Sequence, residues 1–504
     1  MSMALAFLFV CLAAAFSHAE SGVASNSWRP KERWIGVNLP YCLYHLEVRK
    51  DAAYNEEDFR FASELGFNFI RLPLDSRCRI KDGDWNCIDD AALAPLDQAL
   101  EWGERYGLHI QFCFHRAPGY SVNRWPAEKK SLFRDPAVLE VCCRHWAHFA
   151  RKWKGVPNER LSFNLLNEPP ESVKLPDAMQ KIVDSIHTID PNRFVVVDGA
   201  DCCQRPVAGL EDMQGLVGQS ARGYYPMSIS HCGVPWAGPI VKSSEPRWPA
   251  TGFATPRYGS GKANWRTPLC ISNAPAGKWE VELGYVSSRN RLVVSAYGKT
   301  VSEFELNPAT NHNDWTDASY DKHWGIVVAR ARKPCVFTLD RDVGELAFDV
   351  ADGDWVDVRS ISVASGGRTA KMLSHYQWGA RLCELPFAFR GWDVARPFIP
   401  QGGVLSGEEW LERNVFAEWI GASQRGCFVM VGECGATGRA PYDIYLRWME
   451  DQMKVWRKHG FGFAFWTLRG PFGVIDTGRK NARTVDFHGH ALDQGVMDLV
   501  EEYR

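Results

Sequence analysis

At 504 residues the chain is too long for one simple core, so it holds either one large domain with an insertion or two to three domains. Its 45% hydrophobic and 23% charged residues are those of a globular protein, and a formal net charge of −2 with no Lys/Arg run excludes a polyanion-binding surface, so no nucleic-acid partner is expected. The 14 histidines are scattered, and no His-Glu-x-x-His, Cys-x-x-Cys or Gly-x-Ser-x-Gly pattern occurs, so neither a metal nor any other cofactor is expected. The first element is an apolar stretch over residues 4–16, too short to span a bilayer. Ser17-His18-Ala19 then places small residues at the −3 and −1 positions of a cleavage site. Residues 1–19 therefore read as a signal peptide, although no basic residue stands near Met1, and the mature protein is expected to be secreted or periplasmic, monomeric and free of the membrane. Disulfides are permitted there. Cys78 and Cys87 flank a turn-rich segment and are candidates to close a small loop, whereas Cys113, Cys427 and Cys434 lie in or beside apolar runs and read as buried thiols.

Strand-like runs then alternate with helix-period segments. "RWIGVNLP" and "FNFIRLPLD" are strands, followed by the amphipathic "DDAALAPLDQALEWGERYG". "LHIQFCFHRAPG" precedes the helix "PAVLEVCCRHWAHFARKWKG", and "LSFNLLNEPP" precedes "PDAMQKIVDSIHTIDP". "RFVVVDGA" is a fifth strand and "ARGYYPMSIS" a sixth. Runs that are apolar on both faces argue for a parallel sheet covered by helices.

Near residue 240 the rhythm breaks. Over residues 245–372 the pattern has a period of two, with Gly, Asn and Asp turns, as in "GKWEVELGYVS", "NRLVVSAYG" and "WVDVRSISVA". This predicts an inserted all-β sandwich of jelly-roll type, a candidate carbohydrate-binding module whose Trp279, Tyr285, Trp315, Trp324 and Trp355 serve mostly as core. Helical rhythm returns in "SGEEWLERNVFAEWIGASQRG", with Ser406 as its N-cap. A seventh strand "CFVMVGECGA", the helix "YDIYLRWMEDQMKVWRKHG" ended by Gly460, an eighth strand "FGFAFWTLRG" and a closing helix complete the chain. The fold class is thus α/β, a (β/α)8 TIM barrel formed by residues 33–240 and 373–504, with the β-sandwich inserted. An open doubly wound sheet is disfavoured because no Gly-rich phosphate loop follows an early strand.

In such a barrel, catalytic residues gather at the C-terminal ends of the strands. Those ends carry Arg71, His115, Asn167, Glu168, Tyr224, Glu433 and Trp466. Glu168 and Glu433 each close an apolar run just before a Pro or Gly turn, so each strand aims a carboxylate out of one end of the sheet. Two glutamates about 5–5.5 Å apart are the machinery of a retaining glycosidase.

These motifs, in this order, resemble glycoside hydrolase family 5, the cellulase family of the large retaining glycosidase clan. "FIRLP" resembles its second-strand arginine motif and "FHRAPGY" its third-strand histidine motif; "NLLNEP" is similar to its Asn-Glu-Pro, "VGECG" to its nucleophile strand, and "FWTLRGPFGVID" to its eighth-strand tryptophan and following loop. The resemblance spans nearly all of the barrel and none of the insert. It implies Glu433 as nucleophile and Glu168 as the general acid that later acts as base. It further implies that Arg71 and Tyr224 hold Glu433, that Asn167 bonds the sugar 2-hydroxyl, that His115 lines the sugar subsite, and that Trp466 is the stacking floor.

One position departs from the family. Its sixth strand usually reads His-x-Tyr-x-Pro followed by Thr-His, whereas "RGYYPMSISH" supplies Arg222, Tyr224, Pro226, Ser230 and His231. A permanent charge at Arg222 is expected to lower the acid pKa of Glu168 and the pH optimum, or to bind an acidic group on the substrate; alternatively Arg222 points elsewhere and pairs with an unrelated Asp. The overall expectation is a secreted retaining glycosidase, without cofactor, acting on a β-linked glucan or mannan. A barrel that binds carbohydrate with lost or weak catalysis, or an exo-acting β-glucosidase or mannosidase, is the alternative.

Overall fold

The computed structural model describes residues 28–41, 54–123, 126–170, 172–210, 215–250, 252–263, 266, 268–310, 312–321, 325–376, 387–388 and 406–504. The expected signal peptide and Trp324 lie outside the described residues. Eight parallel strands form the barrel: β1 (Ile35–Asn38), β2 (Phe69–Asp75), β3 (His109–Ala117), β4 (Leu161–Asn164), β5 (Val195–Asp198), β6 (Val217–Gly223), β7 (Phe428–Cys434) and β8 (Gly462–Phe465). Each pairs with its successor, and β8 pairs with β1, so the sheet closes. All seven residues of β2 and all nine of β3 are buried, because one face fills the barrel and the other lies under helices. The TIM-barrel expectation therefore holds.

Local chemistry sets the helix limits. Asp135 caps the helix α1 (Pro136–Lys152) by accepting from the Ala137 N–H. The helix α2 (Tyr442–Lys458) stops before Gly460, whose φ of 71° suits glycine. Ser406 and Glu409 form a reciprocal capping box, as the Ser406 reading foresees. The helix expected beyond it is in fact two, Gly407–Asn414 and Ala417–Gln424. The Val415 and Phe416 N–H groups both go back to the Leu411 carbonyl, and the turn delivers the fully buried Phe416 to Phe461 and Trp456.

The sixth strand also differs from expectation. It begins upstream, at Val217, and ends at Gly223, with Met227–Ser230 a helical turn. Pro226 has no N–H to continue a ladder, so the chain leaves the sheet at Tyr224. That exit carries Tyr224 onto the rim.

Between β6 and the Gly407–Asn414 helix lies an 11-stranded β region. Two long strands, Gly277–Ala296 and Val343–Ser365, pair antiparallel along almost their whole length, with irregularities between Glu282 and Leu292. Trp279, fully buried, stacks on Phe337 at 6.1 Å in the core of this region, and Trp315 and Trp355 are buried as well. The entering segment Phe253–Thr255 pairs in parallel with Ser374–Tyr376, so the two ends of the region run side by side. The helix Gly238–Ser243 after β6 joins it to the barrel, since Ile240 and Val241 pack with Tyr258, Trp355 and Tyr376. Cys87 is an exposed free thiol and does not close a loop with Cys78; Cys113, Cys427 and Cys434 are buried as expected.

Candidate active site

The strand register puts charge at one level of the barrel: Asn38 pairs with Arg71, Asp198 with Ser220 and Glu433 with Arg222. The β6–β7 register shifts between Val431 and Glu433. Gly432 sits in that irregularity, where an added Cβ would meet Ser220 Oγ at 2.5 Å and Arg222 Nη1 at 3.2 Å. The absent side chain makes room for the Arg222 guanidinium beneath the two glutamates.

Arg71, fully buried, is one hub. Its Nη1 donates to Glu433 Oε1 at 2.7 Å and to Asn38 Oδ1 at 2.9 Å, and its Nε to Asn164 Oδ1 at 2.8 Å. Nη2 donates to Asn167 Oδ1 at 2.7 Å and to Cys113 Sγ at 3.0 Å. Arg222 is the other hub. Its Nε donates to Glu168 Oε1 at 2.9 Å, and its Nη2 to Asn167 Oδ1 at 2.9 Å and to Asp198 Oδ2, with Glu433 Oε1 at 3.3 Å. Nη1 donates to Ser220 Oγ and the Ala221 carbonyl, both at 3.1 Å. All five donors of Arg222 therefore have acceptors within the protein, which leaves none for an acidic group on a substrate. The partner Asp198 belongs to the same site.

The two glutamates are held differently. Glu433 has an ion pair on one oxygen and accepts from the Tyr224 hydroxyl at 3.0 Å on the other. Burial, and after it the Glu433 charge, push the Tyr224 phenol well above its usual range, so it is a neutral donor. Glu168 is raised to about 7, first by burial and then by Glu433, with Arg222 pulling the other way. The downward pull expected from Arg222 is present but outweighed. Burial alone would raise Asp198, but Arg222 and Arg71 hold it below the usual carboxylate range. With Glu168 protonated, the two guanidinium charges are matched by Asp198 and Glu433.

Asn167 has its Oδ1 fixed by both arginines, so its amide nitrogen must be a donor; that Nδ2 is buried and has no partner among the described residues. His115 and the half-buried Trp466 are neighbours, with ring centroids 5.4 Å apart and planes tilted by 32°, and the Trp466 backbone N–H donates to the Cys434 carbonyl. His231 meets Tyr224 edge-on at 5.1 Å, and burial lowers it to about 4, so it is neutral near pH 7. The structure thus gathers Arg71, Asn167, Glu168, Arg222, Tyr224 and Glu433 into one bonded cluster, with His231 against Tyr224.

Reading strand ends missed Asn38, Asn164, Asp198 and Tyr120, whose hydroxyl donates to the Glu168 carbonyl. Asp198 closes the apolar run "FVVVD" just before Gly199, the same pattern that singles out both glutamates, and was there to be found.

Residues 31–243 match the family model described as Cellulase (glycosyl hydrolase family 5). Endoglucanase C of Acetivibrio thermocellus is 29% identical over 170 residues, which cover 32% of this chain and 49% of that protein. Cellodextrinase A of Ruminococcus flavefaciens is 25% identical over 218 residues, covering 41% of this chain and 62% of its own. The chain spans about half the length of the curated relatives it matches. A crystal structure of a glycoside hydrolase superposes with a TM-score of 0.60 at 20% identity, covering 94% of this chain and 99% of that one, which shows a shared fold.

Proposed function

We propose that the chain, whose residues 31–243 match the model of glycoside hydrolase family 5, is a retaining β-glycosidase that cleaves β-linked glucans by double displacement. The observation that carries this reading is the division of labour between two glutamates on one guanidinium. Glu433 is clasped as an anion by Arg71 and Tyr224, while Glu168 is raised to about 7 and so holds a proton near neutrality. The Glu433 carboxylate attacks the anomeric carbon, and the glycosidic C–O bond breaks as Glu168 gives its proton to the leaving oxygen. Forming the ester removes the Glu433 charge, the second largest cause of the raised Glu168, so Glu168 then suits the role of base toward water. Water takes the place of Glu433 and restores the starting configuration. The partnerless Asn167 Nδ2 is placed to donate to the sugar 2-hydroxyl, and Trp466 supplies an aromatic face for the ring. The names of the curated relatives, endoglucanase and cellodextrinase, favour a glucan. Export on a signal peptide over residues 1–19 belongs to the same proposal and rests on the sequence alone.

The test is hydrolysis of an aryl β-cellobioside followed by proton NMR. The β-anomer should appear first. Glu433→Ala should lose turnover beyond the roughly 10²–10⁴-fold typical of a missing acid or base. Azide should restore part of it and yield the α-glycosyl azide, because a single displacement inverts the centre. An α-anomer as first product, or full activity in Glu433→Ala, overturns the mechanism.

A further inference from the structure

Glu168 has a backbone conformation that an L-residue seldom adopts, with φ at 48°. Two contacts hold it there. Its N–H donates to Asp198 Oδ2 at 3.0 Å, and its carbonyl accepts from the Tyr120 hydroxyl. The same Asp198 Oδ2 accepts from Arg222 Nη2, and Asp198 Oδ1 accepts from Asn164 Nδ2 at 2.9 Å. A single fully buried carboxylate is therefore joined to the acid/base residue both through its backbone and through the cation that touches its side chain.

Charge explains why such a carboxylate is needed. Arg222 lies 2.9 Å from Glu168 and is ionised under all working conditions. A guanidinium at that distance favours glutamate over glutamic acid, which opposes the first step of a retaining reaction. Glu433 from β7 works against that pull, but it is already paired with Arg71 and is neutralised each time the ester forms. Asp198 is the one carboxylate of the cluster with no part in bond making, so its charge stays constant through the cycle. The other titratable groups around Glu168 are neutral: burial raises the Tyr120, Tyr224 and Tyr225 phenols and the Cys203 thiol. Arg71 stands behind, 3.6 Å from Asp198.

We infer that Asp198 is a positioning residue for the acid/base glutamate, fixing the Glu168 backbone and offsetting Arg222 so that this arginine can orient Glu168 without holding it as an anion. The inference rests on Glu168 being the acid/base.

The experiment follows Glu168 in two ways, through the basic limb of kcat/KM and through carbon-13 NMR of its carboxyl group, assigned with Glu168→Gln. Removing the anion in Asp198→Asn should move both titrations down by about 1 unit or more; removing the cation in Arg222→Gln should move both up. Asp198→Asn should also lose about tenfold more kcat/KM on a 4-nitrophenyl β-cellobioside than on the 2,4-dinitrophenyl one, whose leaving group scarcely needs a proton. A change that only loosens the fold would hit both substrates alike. Where Asp198→Asn does not fold, Asp198→Asn/Arg222→Gln is compared with Arg222→Gln, and its titration should lie lower. An unmoved Glu168 titration in these comparisons overturns the inference. A wild type that hydrolyses no aryl β-glycoside overturns the glycosidase reading instead, and the NMR titration still decides the role of Asp198.

Discussion

The barrel rim concentrates buried charge, whereas the β region keeps most of its charge at the surface. On the rim Arg71, Asp198, Arg222 and Glu433 are almost wholly removed from water, and each arginine lies within 3.6 Å of both carboxylates. In the β region the packed centre is built on Trp279, Phe337 and Phe348, ion pairs such as Arg289–Glu305 and Lys371–Glu282 lie in solvent, and the buried charges Asp357 and Arg257 are not gathered into a cluster with two carboxylates and two guanidiniums. Burying ions costs several kcal/mol each, and apolar packing would stabilise the same space as well or better. A barrel that only had to be stable would be expected to fill its rim as the β region fills its core. The difference identifies the rim as the place where stability has been given up for chemistry.

The sharpest way to break this comparison is to damage the β region alone. Trp279→Ala removes a fully buried tryptophan from that core and should cost about 3–5 kcal/mol of that region's stability. Calorimetry should show an earlier transition, while kcat on an aryl β-glycoside at 25 °C stays within about twofold, because Trp279 packs in the core of the β region and the rim residues stand on the barrel strands. A kcat that falls with the transition would mean that the β region holds the site in shape.

A smaller effect comes from the rim. An unfolded glutamate titrates near 4.3, whereas folded Glu168 stands at about 7. Between those values the folded protein keeps a proton that the unfolded chain has lost, so this group makes stability fall as pH rises through the window, and its full cost stands above about 7. Glu168→Gln has no such proton to lose. It should be more stable than wild type at pH 8, by up to about 3 kcal/mol, and close to it at pH 4.5, as denaturant midpoints at the two values would show. Equal differences at both values would mean that the gain is not one of ionisation.

Much of the barrel was legible because burial on both faces leaves continuous apolar runs, and the strand ends could be read from where those runs stop. Glu168, Glu433, Arg71 and Asn167 stood out in this way, and the structure brings them together. Asp198 shows the same pattern, but its tie to Arg222 exists only where two strands meet in space. The role of Gly432 was out of reach, since it depends on a register shift between strands that are separate in sequence. So was the net direction of Glu168: the sequence shows a neighbouring cation, but only packing reveals that burial outweighs it. The sixth strand was misplaced because "GYYPMSIS" has strand-like residues on either side of a proline that ends the ladder.

The weakest expected effect completes the contrast. Lys371 Nζ lies 3.0 Å from Glu282 Oε2, a spacing as good as those on the rim, yet both side chains are about half exposed. Water already solvates each partner, so pairing them gains little over leaving them apart, and added salt screens what remains. Lys371→Met should leave the thermal midpoint of the β region unmoved and without salt dependence, whereas Arg71→Met, which takes from buried Glu433 its nearer counter-ion and leaves it only Arg222 at 3.3 Å, should cost about 3–5 kcal/mol. Equal losses in the two variants would show that distance alone sets the strength of an ion pair here; unequal ones place the cause in burial, the property that separates the rim from the β region.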